Sequence, residues 1–260
     1  MNNYVLITGA SSGIGLSFAK IFAKNGYNLI LVARNKNKLD SLKNKLETKF
    51  SVIVNIYAID LTSSNSVQEL YDYTKKNSMF VDILINNAGF GDFNAFLDSE
   101  LNRHKNLIDL NITALVEMAY LFGKDMKNRN RGRIINLSSI AAFSSGPYMS
   151  LYYASKSFVL SFSEALSEEL KGTGVTVTAL CPGPTSTGFE KNANMGHSVM
   201  FSKFKTATAD DVAKAGFEAA IKGKDIKYHG FLTYAINVVT RCFPRIVGRK
   251  LAIKMNKIEN

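Results

Sequence analysis

Short apolar runs alternate with stretches of helical spacing along most of the chain, and this alternation constrains the fold more than any other feature. Residues 4–8, 27–33, 52–59, 82–86, 133–137 and 175–180 read as strands. Residues 13–25, 36–49, 66–77 and 151–170 read as helices, and residues 102–129 as one or two more. The strand runs are apolar at successive positions. Such strands are covered on both faces, as in a parallel sheet flanked by helices. The fold class is therefore α/β, with a doubly wound parallel sheet. No linker, low-complexity segment or fixed-period repeat interrupts residues 1–260, so a single domain is expected.

Charge and cysteine content narrow the function classes. Two cysteines, Cys181 and Cys242, make neither a disulfide framework nor a cysteine-rich metal site, so no metal is expected. The formal net charge is +11, and residues 222–260 carry nine basic residues against Asp225 and Glu259. No groove-reading motif accompanies that charge, so no nucleic-acid partner is expected. Residues 1–8 lack the basic start of a secretory signal, and no apolar run approaches a membrane span. A cytoplasmic protein is expected.

The first strand runs into Thr8-Gly9-Ala10-Ser11-Ser12-Gly13-Ile14-Gly15. Glycines let the backbone turn sharply and approach a pyrophosphate, while the helix that follows aims its N-terminus at the phosphates. A plain Gly/Ser turn without a ligand is the bland alternative. The spacing G-x-x-x-G-x-G resembles the cofactor motif of the short-chain dehydrogenases/reductases. Other motifs of that family follow in order: Asp60-Leu61 after the third strand, Asn86-Asn87-Ala88-Gly89 after the fourth, and Pro182-Gly183 with Thr185 and Thr187 near the nicotinamide. The resemblance implies a Rossmann-type fold and places Gly9, Ser11, Ser12, Gly13, Ile14, Gly15, Asp60, Leu61, Asn87, Ala88, Gly89, Pro182, Gly183, Thr185 and Thr187 at the cofactor. Residues 82–187 further resemble the DltE-like bacterial oxidoreductases, which are similar to eukaryotic 3-ketoacyl-CoA and 17β-hydroxysteroid reductases. That implies reduction of a hydrophobic ketone or 3-oxoacyl group.

The second strand ends Leu31-Val32-Ala33-Arg34. Ala33 stands where an NAD site would carry an acid, and a guanidinium suits a 2′-phosphate. NADP(H) is therefore expected over NAD(H), with Asn35 and Lys38 assisting. A solvated strand-end arginine is the alternative.

Tyr152 and Lys156 are four apart on a helix, so they share a face, while Tyr153 points elsewhere. Ser139 lies thirteen residues upstream of Tyr152, the spacing of the family's catalytic Ser and Tyr, with Ser138 as a supporting neighbour. Asn111 matches the family's fourth catalytic residue, a holder of a water linking Lys156 to solvent. Carbonyl reduction needs these types. Tyr152 donates the proton as general acid. Lys156 favours the phenolate and binds the nicotinamide ribose, and Ser139 polarises the carbonyl. His104, His197 and His229 fit no catalytic spacing and are read as structural or surface residues.

Three segments should wall the substrate: residues 90–96, residues 142–150, and a lid at 188–206 with Phe189, Met195, Met200, Phe201 and Phe204. Lys191, Lys203 and Lys205 are available to an anionic group there. Residues 230–257 form a basic helical segment in which Arg241, Arg245 and Arg249 recur every four positions on one face, with Pro244 kinking or splitting it. A terminal helix packed over the cleft or a neighbouring subunit is preferred for this segment over peripheral membrane contact. The family implies a homo-oligomer, dimer or tetramer, acting on a small carbonyl or alcohol. The competing functions are an NAD-dependent alcohol dehydrogenase and a nucleotide-sensing or membrane-recruited binding protein on the same fold.

Overall fold

The computed structural model describes residues 3–189, 193 and 206–256. Its elements in chain order are β1 (Asn3–Thr8), α1 (Gly13–Lys24), β2 (Asn28–Ala33), α2 (Lys36–Phe50), β3 (Val54–Ala58), α3 (Ser66–Lys76) and β4 (Phe80–Asn86). Then come α4 (Leu101–Ile108), a π-helical turn (Asp109–Thr113), α5 (Ala114–Asn128), β5 (Gly132–Leu137), α6 (Ser150–Glu169) and β6 (Val175–Pro182). The two-residue strands β7 (Thr185–Ser186) and β8 (Ala207–Thr208) pair with each other. They precede α7 (Ala209–Ile221), β9 (Ile226–His229), α8 (Phe231–Cys242) and α9 (Arg245–Asn256).

Among the described residues, seven strands form one sheet in the order β3-β2-β1-β4-β5-β6-β9, every neighbouring pair parallel. The doubly wound reading holds. The apolar runs explain the layering. Val5 and Ile7 of β1 face the layer holding α1, α2 and α7, while Tyr4 and Leu6 face the layer holding α3 and α5. All four are buried, and each such side chain contributes on the order of 2 kcal/mol. Strand β9 and helix α7 were not legible: β9 has four half-buried residues, Ile-Lys-Tyr-His, too few and too mixed to show a period.

The long helical stretch at 102–129 is a helix broken by the π-helical turn, which carries Asn111. Pro244 splits the basic segment into α8 and α9, as expected. The single arginine face does not survive that split. Arg241 ends α8 and Arg245 begins α9, because proline cannot continue the hydrogen-bond ladder, so the period of four spans two separate helices. The inner sides of α8 and α9 are buried at Thr233, Asn237, Gly248, Ala252 and Asn256, in line with a terminal segment packed on the body.

Candidate active site

The strand order reverses between β1 and β4, and ligands of such sheets bind outside the carboxyl ends at that switch point. The glycine turn lies there. Gly9 and Gly13 take φ of +66° and +53°, a left-handed conformation that side chains disfavour. A Cβ on Gly15 would run into the carbonyl oxygen of Gly9 and stand 2.6 Å from Asn87 Nδ2. The turn is bracketed from β4. Thr8 Oγ1 accepts from the backbone N–H of Asn87 (3.0 Å) and of Ala88 (2.9 Å) and donates to the Ile85 carbonyl (3.2 Å). Asn87 Nδ2 in turn donates to the Thr8 carbonyl (2.8 Å). Asn87 therefore shapes the cradle with its side chain.

The exposed Ser12 opens α1 without a side-chain cap, and no acid sits in the first turn. The first amides of a helix have no intrahelical partner, so this uncapped end beside a Cβ-free cradle fits a diphosphate. Thr187 closes the other side, since a Cβ on Gly13 would meet its Cβ at 3.1 Å. Arg34 is well exposed, and its Nη1 lies 3.8 Å from Asp60 Oδ2. Asp60 Oδ1 accepts from the backbone N–H and hydroxyl of Thr62 (3.0 and 2.9 Å). Leu61 is buried in the core, and Thr185 spends its hydroxyl on the Gly183 carbonyl (2.8 Å). We expect Gly15→Ala to weaken dinucleotide binding by at least about tenfold and to destabilise the chain by about 1–3 kcal/mol. Cofactor titration together with thermal melting checks both.

The four expected catalytic side chains converge beyond β5. Ser139 follows that strand, accepts from the Ala141 N–H (3.1 Å) and hydrogen-bonds the Tyr152 phenol. Ser138 donates to the Lys156 carbonyl (2.9 Å), tying α6 to the end of β5. Buried Lys156 donates from Nζ to the Leu137 carbonyl (2.8 Å), and Nζ lies 5.7 Å from the Tyr152 ring centre. Asn111 exchanges two hydrogen bonds with the Phe90 backbone (3.1 and 3.0 Å) and donates to Ser155 Oγ (3.1 Å), which donates to the Tyr152 carbonyl (2.8 Å). Its side chain is thus engaged in holding the 90s loop and α6. Gly89 leaves the space between them open, since a Cβ there would stand 2.9 Å from Asn111 Oδ1 and 3.6 Å from Lys156 Nζ.

The electrostatics correct one expectation. Burial pushes the Tyr152 phenol up to about 12, against a smaller lowering by Ser139, and pushes the Lys156 ammonium down to about 8. In the protein alone, desolvation outweighs any lowering of Tyr152 by Lys156, because both charged forms lose water at the same buried spot.

The side chains packed around Tyr152 are apolar and aromatic, while Asp92 in the same loop is buried against Arg103 and Ser99. Phe189 lies 5.2 Å from the Tyr152 ring and packs with Met149 and Phe93, and Phe93 accompanies Tyr148 at 5.8 Å. Tyr148 holds φ of +66°, a strained setting for an aromatic residue on this rim. Apart from Phe189 and its neighbours, the lid residues Lys191, Met195, Met200, Phe201, Lys203, Phe204 and Lys205 lie outside the described residues, as does His197. His104 stacks on Phe96 at 4.6 Å, and its Nε2 lies 2.8 Å from the Phe96 carbonyl oxygen, a structural placement. His229 ends β9.

Sequence reading missed a buried polar ladder beneath this cluster. Asn86 Nδ2 donates to Asn136 Oδ1 (2.9 Å) and Asn136 Nδ2 donates to Ser163 Oγ (2.9 Å), locking β4, β5 and α6 in register. The signal was present: Asn136 is the one polar residue from Ile134 to Leu137, flanked by apolar neighbours. It also missed Tyr153 Oη donating to Asn256 Oδ1 (3.0 Å), while Asn256 Nδ2 donates to the Pro147 carbonyl (3.1 Å), which docks α9 on the substrate loop.

A parallel sheet with a diphosphate cradle at its switch point, beside a Ser-Tyr-Lys cluster, defines a doubly wound α/β oxidoreductase. The short chain dehydrogenase family model matches residues 3–198. Mus musculus 17-beta-hydroxysteroid dehydrogenase type 3 is 34% identical over 86% of this chain and 71% of that protein. Homo sapiens very-long-chain 3-oxoacyl-CoA reductase is 28% identical over 99% of this chain and 80% of that protein. A short-chain dehydrogenase from Sphingobium yanoikuyae in complex with NADPH superposes with a TM-score of 0.83 at 30% identity, over 92% of this chain and 94% of that one. The chain belongs to the short-chain dehydrogenase family, oxidoreductases that use NAD(P)H on CH–OH and C=O groups.

Proposed function

We propose that the protein reduces a hydrophobic ketone or 3-oxoacyl group to an alcohol with NADPH. The observation that carries this reading is the half-buried Tyr152, hydrogen-bonded to Ser139 and flanked by Lys156, under the apolar wall of Phe189, Met149 and Phe93. The glycine turn, Asn87, Ala88 and Gly89 hold the dinucleotide, with Thr187 against the turn. When bound, the cofactor supplies the hydride, and its oxidised ring carries a positive charge. Tyr152 gives its proton to the substrate oxygen as negative charge develops there. Ser139 donates a hydrogen bond to the same oxygen and keeps it pointed at the phenol. Lys156, fixed by the Leu137 carbonyl, holds the ribose hydroxyls and stabilises the phenolate left behind. Asn111 positions the Phe90 loop and α6 so that these groups face one another. The apolar wall excludes water from the reacting carbonyl.

Arg34 supports NADP(H) over NAD(H): a 2′-phosphate fits its guanidinium. Its exposure and the nearby Asp60 carboxylate limit the discrimination to that of one or two charge-assisted hydrogen bonds. Arg34→Ala is expected to weaken NADPH binding by about 10- to 100-fold while leaving NADH within about threefold. Fluorescence titration with each cofactor, followed by oxidation against ketones and 3-oxoacyl thioesters, tests the whole reading. Equal binding of both cofactors by the unaltered protein would sink the NADPH preference, and binding of neither would sink the function. The homo-oligomer and the cytoplasmic setting belong to the same proposal.

A further inference from the structure

Among the described residues, helices α8 and α9 are covered on one side only. The uncovered side carries Phe231, which is 84% exposed, with Tyr234, Phe243, Ile246 and Ile253 all well exposed. Between these stand exposed Arg241, Arg245, Arg249, Lys250 and Lys254, and residues 231–256 contain no Asp or Glu. Monomeric proteins rarely gather apolar side chains on an open face without a partner for them. The partner must accept apolar groups and positive charge together. A second copy presenting the same face would set five cations against five, which an isologous contact cannot relieve. A bilayer with anionic headgroups satisfies both, because rings enter the acyl boundary while Arg and Lys side chains reach the phosphates.

We propose that the outer face of the α8–α9 pair is a docking surface for an anionic lipid membrane. No helix among the described residues is long and apolar enough to cross a bilayer, so the pair lies in the interface plane. The inner face of α9 grips Tyr153 and Pro147 through Asn256, so the helix that carries the outer face also braces the 142–150 loop. This inference stands independently of the substrate assignment, since it rests on the exposed face alone.

The test is co-sedimentation with vesicles of phosphatidylcholine alone and with about 30% phosphatidylglycerol added, at salt from about 50 mM to about 300 mM. The protein is expected to pellet with the anionic vesicles at low salt and to leave them as salt rises, and to stay in solution with phosphatidylcholine. Arg245→Glu with Arg249→Glu should weaken partitioning by at least about 100-fold, and Phe231→Ser with Ile246→Ser by at least about tenfold. All four positions are solvent-facing, and circular dichroism verifies that both variants fold. Failure to pellet with anionic vesicles, or undiminished pelleting of either variant, overturns the proposal. So does dissociation of an oligomer by Phe231→Ser with Ile246→Ser in sedimentation velocity, which assigns the face to a second copy. Binding to polyglutamate without binding to vesicles assigns it to an acidic polypeptide and overturns it equally.

Discussion

Tyr152→Phe is expected to lower turnover by about 10²- to 10⁴-fold, the range for loss of a positioned general acid. NADPH binding should stay within about threefold, because the substitution leaves the glycine cradle and its Asn87 bracket intact. The fold should barely notice. Ser139 keeps the Ala141 amide as a partner, and the ring keeps its contact with Phe189. The pH profile carries a further expectation. With the phenol raised to about 12, the proton donor stays loaded through the neutral range, so Tyr152 itself imposes no alkaline-side loss on reduction there. A variant that retains wild-type turnover on every ketone and thioester tried would remove Tyr152 from the chemistry and favour a nucleotide-sensing role.

Lys156→Met should reduce turnover by about 10²-fold or more and also change how stability responds to pH. Burial lowers the Lys156 ammonium from 10.5 to about 8, so between those values the unfolded chain binds a proton that the folded chain has released. Stability therefore rises with pH through that window in the wild type, and the contribution of Lys156 is at its most unfavourable below pH 8. The Met variant lacks this dependence. The stability of the variant relative to wild type should accordingly fall by about 3 kcal/mol from pH 7 to above pH 10.5. Taking the difference removes most of the opposite trend of Cys181, whose thiol burial pushes up to about 12. Denaturant melts of both proteins across that range measure it. A flat difference would show that Lys156 is not desolvated as described. In activity, reduction by the free enzyme should decline above about pH 8 as the ammonium deprotonates.

What was readable in the sequence follows the range of the interactions. The strands from β1 to β6 announced themselves, because doubly covered parallel strands must be apolar at successive positions. Tyr152, Lys156 and the glycine turn were readable because their geometry is local, four residues on one helix and seven in one turn. The Asn86–Asn136–Ser163 ladder and the Tyr153–Asn256 bond were not, since each joins residues far apart in the chain. Strand β9 was hidden for another reason. It sits at the sheet edge, where half-burial permits Lys227 and His229 among apolar neighbours. The upward shift of Tyr152 in the protein alone was not legible, because charge proximity shows in a motif, whereas desolvation appears only once burial is known.

The bracket between Thr8 and Asn87 bears on the order in which the molecule becomes competent during synthesis. Strands β1, β2 and β3 and their helices are neighbours in the chain and in the sheet, and a ribosome releases them first. That fragment already contains every glycine of the turn. It lacks Asn87 and Ala88, which grip Thr8 from the end of a strand 79 and 80 residues further along the chain. The nascent fragment is thus a cradle without its clasp, and on the proposed reading dinucleotide capture waits until β4 joins β1.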